Sequence, residues 1–196
     1  MRQSLIILLI LSIFTSCSNS TKKPDKSKSE KLTVESDEKK IDPARTELDI
    51  QKTFLDFVKL AKVPDSLNFD VDNVFYGDFN GDNKKDFASP VINLENGFYG
   101  LIIIHNDSNP KYRVFGAGNE INGQTNLDWI DKFKVIPKGR NIVPTLVDEK
   151  TGDIIGPDQT KTFKLIGDGI LMSVDESHGG GILFWNGKNY EWYHIE

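Results

Sequence analysis

From Pro64 to the end of the chain, apolar residues come only in short runs, each cut off by Gly, Asn, Asp or Pro before a helix completes a few turns. The runs are residues 71–77, 87–93, 98–105, 112–115, 129–136, 145–147, 163–166, 170–174, 182–185 and 190–195, rich in Val, Ile, Phe, Tyr and Trp. Short β-prone segments at this spacing, with no helical pattern between them, predict antiparallel hairpins. The last turn carries Asn186-Gly187 between two aromatic runs, the pair favoured in a type I′ turn because both central residues need positive φ.

Before this region, residues 43–63, with 46–62 as the body of the element, read as one amphipathic helix. Ile50, Phe54, Phe57, Val58 and Ala61 recur at helical spacing. Thr46 and Asp49 suit a capping box, and Pro64 marks the end. The fold expected of residues 46–196 is therefore a single mainly β domain with one N-terminal helix, its hairpins forming a meander, sheet or sandwich.

The N-terminus follows a different logic. Arg2 precedes the apolar stretch 5–14, which is followed by Thr15, Ser16 and Cys17. These are the zones of an export signal, and the stretch is shorter than the roughly 20 residues a helix needs to span a bilayer. Phe14-Thr15-Ser16-Cys17 resembles the lipobox of bacterial lipoproteins. That resemblance implies cleavage after residue 16 and lipidation of Cys17, with a diacylglycerol on sulfur and a palmitate-type acyl group on the new amino terminus. Cys17 is the sole cysteine of the chain, so it has no disulfide partner within it. Residues 18–45 are dominated by Lys, Glu, Asp and Ser, too polar to offset the entropy of ordering. They are expected to form a disordered spacer, whose span as a flexible coil would be about 30 Å. The resulting organisation is a signal at 1–16, a lipidated N-terminus and linker at 17–45, and a tethered domain at 46–196. The expected location is the bacterial cell envelope, with the protein held to a membrane, outer or otherwise, by its N-terminal lipid.

From Thr46 onward the chain has 15 Lys and Arg against 23 Asp and Glu, a charge of about −8. An acidic domain without a basic stripe repels phosphate backbones, which argues against nucleic acid as a partner. The same field suits calcium and basic protein surfaces.

One stretch carries recognisable chemistry: Asp78-Phe79-Asn80-Gly81-Asp82-Asn83-Lys84-Lys85-Asp86. Asp78, Asn80, Asp82 and Asp86 fall at positions 1, 3, 5 and 9 of a loop, with the carbonyl of Lys84 at position 7, a spacing that aims alternate oxygens at one hard cation. The stretch resembles the metal loops of FG-GAP and VCBS repeats, the units of integrin-type β-propellers. The resemblance implies Ca2+ held by Asp78, Asn80, Asp82, Lys84 and Asp86 between two strands. Two departures stand out: Asn83 occupies the place of a glycine, a residue type that tolerates left-handed backbone better than most, and no second copy follows. A propeller needs several blades, so a complete propeller is not expected.

Other constellations carry less. His105, His178 and His194 show no zinc-ligand spacing. His178-Gly179-Gly180-Gly181 lacks the strand-turn-helix context of an oxyanion loop and is expected to be a flexible hairpin connection. In the last strand Tyr190 and Trp192 should share one face and Tyr193 the other, with core packing the simpler role and a sugar- or protein-binding surface the alternative. These features point more to binding than to turnover. The leading expectation is a calcium-stabilised binding or accessory domain with an envelope protein or glycan as partner. The alternatives are an envelope hydrolase acting on glycan or peptide, with His178 and carboxylates as acid and base, and an acidic inhibitor or immunity protein.

Cys17→Ser is expected to abolish incorporation of labelled palmitate and to move the protein from the membrane to the soluble fraction; a variant labelled and retained like the parent would count against the anchor.

Overall fold

The computed structural model describes residues 43–148, 150–175 and 180–195. The signal, Cys17, the linker up to residue 42 and His178 lie outside the described residues. Among the described residues one α-helix, α1 (Pro43–Leu60), precedes thirteen strands. In chain order these are β1 (Leu67–Phe69), β2 (Phe75–Gly77), β3 (Asp86–Asn93), β4 (Phe98–Ile104), β5 (Tyr112–Gly116), β6 (Lys132–Ile136), β7 (Asn141–Ile142), β8 (Thr145–Val147), β9 (Ile154–Pro157), β10 (Phe163–Lys164), β11 (Gly169–Ser173), β12 (Gly180–Trp185) and β13 (Tyr190–His194). The protein is mainly β, every strand pair is antiparallel, and the sheets close into neither a barrel nor a propeller.

Two sheets form the body. The first runs β1-β3-β4-β5, with β2 also on β3; the second runs β13-β12-β11-β6. Ala88, Leu101 and Ile103 of the first sheet meet Ile170, Met172 and Leu183 of the second in one buried cluster. On the opposite face of the first sheet, Phe87, Val91, Ile102 and Ile104 receive Ile50, Phe54, Phe57, Val58 and Ala61 from α1 and its end. The far face of the second sheet is covered by the β7–β10 ribbon, through Ile142, Phe163, Ile182 and Phe184. β4 explains its own sequence. Leu101 and Ile103 face one cluster while Ile102 and Ile104 face the other, so a strand buried on both sides needs an unbroken apolar run.

The helix begins earlier than its capping signal suggests. It starts at Pro43, a residue suited to the first helical position, so Thr46 lies inside the first turn and the expected capping box does not mark the start. Its end is closed by Lys62 in the left-handed region (φ 55°), with the amide of Val63 donating to the carbonyl of Val58.

The first edge of β3 is split. Between Phe69 and Phe75 the chain leaves the ladder through a short 3-10 turn at Val71–Asn73, so of the expected strand 71–77 only Phe75 to Gly77 pairs with β3, and β1 is an additional strand. Pro90 gives the reason. The amide of Asp70 donates to the Pro90 carbonyl, but Pro90 has no N–H to return. The hydroxyl of Ser89 donates to the Asp70 carbonyl instead, at 2.9 Å.

Two glycine-rich segments also differ from expectation. Gly180 and Gly181 belong to β12, paired with Ser173 and Met172, where a hairpin connection was predicted. A Cβ on Gly181 would lie 2.3 Å from Cζ2 of Trp192, so the indole requires a residue without a side chain beneath it. At Asn186-Gly187 only Gly187 takes positive φ (99°); Asn186 instead accepts the amides of Lys188 and Asn189 on its side-chain oxygen. The Asn-Gly pair with both residues at positive φ is Asn122-Gly123 (48° and 76°), which closes the bridge between Ile121 and Gln124.

Gly181→Ala is expected to lower the unfolding free energy by about 1–3 kcal/mol, as overpacking does. Denaturant titration should show a smaller cost of the same change in a Trp192→Leu background; equal costs in both would mean that the indole contact is not what excludes the methyl group.

Candidate functional site

The β2–β3 loop is held by its second residue. Phe79 is fully buried in the cluster between the two sheets, and this anchor draws the flanking Asp78 and the first residue of β3, Asp86, out of solvent, to 2 % and 0 % exposure. The polar residues between them wind tightly. Asn80 Oδ1 accepts the Asp82 amide at 3.0 Å, Asp82 Oδ1 accepts the Lys84 amide at 2.8 Å, and Asp78 Oδ2 accepts the Asn83 amide at 3.1 Å. Gly81 and Asn83 both take positive φ, 78° and 66°, so Asn83 supplies the left-handed turn for which glycine is otherwise used.

Asp86 closes the loop by accepting the Phe79 amide on Oδ2 and the Asn106 amide on Oδ1. Burial pushes its carboxyl up to about 6, against which these amide hydrogen bonds pull only partly. Asp78 is different. Its Oδ1 is the one buried side-chain oxygen or nitrogen, among the described residues, with no hydrogen-bond partner. An unpaired buried carboxylate oxygen is costly and calls for a missing cation or donor.

The charge facing this carboxylate comes from a part of the chain that spacing does not reveal. Lys138, in the turn after β6, places Nζ 2.7 Å from Asp78 Oδ2 and 2.7 Å from Asn83 Oδ1. The bond to Asp78 raises the ammonium above its ordinary value. Behind it stands Asp168, 8 % exposed. Its Oδ2 accepts the Asp78 amide and its Oδ1 the Lys138 amide, both at 2.8 Å, while its own amide donates to the Asp78 carbonyl at 2.6 Å. Burial works against charge on Asp168, but these amides and the nearby Lys85 ammonium hold its carboxyl below the usual range. Close approach needs bare backbone: a Cβ on Gly77 would lie 2.9 Å from Asp168 Oδ2, and one on Gly167 would lie 2.8 Å from the Asp78 carbonyl oxygen.

Asp78, Asn80, Asp82, Lys84 and Asp86 thus share one loop. Among the described residues, however, no three His, Cys, Asp or Glu side chains converge as a metal-ligating group. The Lys84 side chain points away, toward Asp82 and Asp107. Sequence reasoning missed Asp168 and Lys138. The first had a signal, a carboxylate between Gly167 and Gly169 at the mouth of a strand; the second had none.

Two further features bear on function. A cleft of about 710 Å³ opens where the first edge of β3 is split, walled by Phe69, Phe75 and Phe133 with Asp70, Asp128 and Asp131 at its polar side. The two described histidines have separate partners. His105 Nε2 lies 2.9 Å from the Tyr190 hydroxyl, and His194 Nε2 lies 3.2 Å from the side-chain nitrogen of Asn122. No family model, curated protein or solved structure matches the chain.

Burial, together with Arg113 and Lys111, holds the His105 imidazole below 6.5, outweighing Asp82 and Asp107; burial also pushes the Tyr190 phenol up. Both shifts favour a neutral pair joined by the hydrogen bond between Nε2 and the hydroxyl. Because the unfolded imidazole takes up its proton at about 6.5 and the folded one only at lower pH, this group leaves stability intact above 6.5 and costs stability as pH falls below it. NMR titration should place the His105 midpoint under 6.5, and His105→Gln should remove that share of acid sensitivity; a midpoint at or above 6.5 would contradict the assignment.

Proposed function

We propose that this chain is a lipid-anchored protein of the bacterial cell envelope whose folded domain is a calcium-stabilised β-sheet binding module. The observation that carries the calcium reading is Asp78: a carboxylate 2 % exposed, with one oxygen that no donor reaches. It stands at the first position of a loop whose spacing suits a hard cation. Asp78, Asn80, Asp82, the Lys84 carbonyl and Asp86 would hold the ion. When bound, it supplies the divalent charge that lets three carboxylates share one loop. Four of these residues already use side-chain oxygens to accept loop or neighbouring amides, and an oxygen that accepts one such bond keeps a lone pair for a metal.

The binding reading rests on the cleft. The rings of Phe69, Phe75 and Phe133 suit apolar side chains or the C–H faces of sugars, and Asp70 and Asp128 offer acceptors beside them. An envelope protein or glycan is the partner this surface fits. An N-terminal lipid and a polar spacer place such a module at a membrane with freedom to reach it.

Thermal melting of the full-length protein tests the reading. With calcium near a hundred times its dissociation constant, binding adds about 2.7 kcal/mol to the folded state, a rise of roughly 5–10 °C for a domain of this size. Asp78→Asn should remove the rise. A wild-type melting temperature indifferent to calcium would end the calcium reading, and envelope extracts that yield no saturable partner in calcium would end the binding one.

A further inference from the structure

We propose that Lys138 is a tethered cation that neutralises the β2–β3 loop in its metal-free state and competes with calcium for Asp78. The inference rests on the calcium reading of that loop and goes beyond it, since nothing in the loop's own sequence calls for an internal competitor.

The geometry is specific. The backbone of Lys138 is fixed from two sides, its amide bonded to Asp168 Oδ1 and the amide of Gly139 bonded to the Leu165 carbonyl. From that point the side chain reaches across to the loop and places its ammonium on Asp78 Oδ2, the carboxylate at position 1, and on Asn83 Oδ1, the residue at position 6. Asp78 is thereby half satisfied: one oxygen bears the ammonium and the Asn83 amide, and the other is unpartnered. The ammonium spends its hydrogen bonds on Asp78 Oδ2 and Asn83 Oδ1 and leaves Asp78 Oδ1 unmet, whereas a cation with six to eight coordination positions can draw on both oxygens.

The two cations exclude each other. A divalent ion on Asp78 would share that carboxylate with the ammonium, and like charges held so close repel strongly at a partly buried site. Lysine is suited to withdraw. Its head is a compact, strongly hydrated charge on a flexible stem, and the side chain is already 42 % exposed, so release into water leaves the backbone anchor in place. The consequence is a loop that stays folded without metal and takes calcium only where calcium is plentiful.

Calcium titration calorimetry and thermal melting on the full-length protein test this, with Lys138→Met as the main variant. Lys138→Gln is a second neutral form in case Met does not fold, and Lys138→Arg keeps the charge. The expected result is calcium binding at least about tenfold tighter in the neutral variants than in the wild type, with the Arg variant remaining weak. In chelator the neutral variants should melt below the wild type, and saturating calcium should close that gap. If the wild type binds calcium and the neutral variants bind no more tightly, Lys138 is not a competitor and the calcium reading survives. If only the neutral variants bind, the competition stands and the wild type is not a calcium protein. If none binds, both inferences fall.

Discussion

The structure turns on a clasp between Asp78 and Asp168. The carbonyl and amide of Asp78 are both engaged by Asp168, through its amide and its carboxylate, and the remaining carboxylate oxygen of Asp168 takes the Lys138 amide. Three chain reversals that are distant in sequence, after β2, after β6 and before β11, are thereby bound to one side chain. The sheets on either side of the main core are joined here by hydrogen bonds rather than by packing alone. Gly77 and Gly167 are the residues that permit it, because any side chain at either place would enter the clasp.

The clasp also sets the charge problem that the loop must solve. Asp78, Asp86 and Asp168 are all buried, and they are not equivalent. Asp168 is saturated with amides and a lysine, and its carboxyl is held low. Asp86 accepts amides on both oxygens, yet burial still pushes it up to about 6. Asp78 has an ammonium on one oxygen and nothing on the other. Lys138 therefore relieves only part of the repulsion, and the part left unrelieved falls on the first position of the loop.

Much of the architecture was legible because it follows from periodicity. The α1 stripe and the facing of Tyr190 and Trp192 against Tyr193 follow from spacings of 3.6 and 2, whereas the apolar run of β4 marks a strand without showing that both its faces are buried. The left-handed turn at Asn83 was likewise readable from residue type. What escaped was set by long-range contacts. Gly180 and Gly181 looked like a connection because nothing local indicates the indole of Trp192 lying over the strand. Asn186-Gly187 followed a different turn from the one its residues favour because the side chain of Asn186 supplied the hydrogen bonds. Asp168 and Lys138 meet Asp78 only through tertiary folding, which leaves no mark on spacing.

The cleft and the loop are built on the same short strand, and this follows from one proline. Pro90 cannot donate to the edge beside it, so that edge leaves the ladder after Phe69 and rejoins at Phe75. The gap becomes a recess, and Phe75 becomes one of its walls. β2 then has only Phe75, Tyr76 and Gly77 in which to return to β3 before the loop begins at Asp78. Three residues of pairing are a weak hold. The strand keeps its place because Phe79 is sunk into the core on one side of Asp78 and Asp168 grips the Asp78 backbone itself. The wall of the recess is thus positioned from beyond its own strand, by the residues that crowd the acids together.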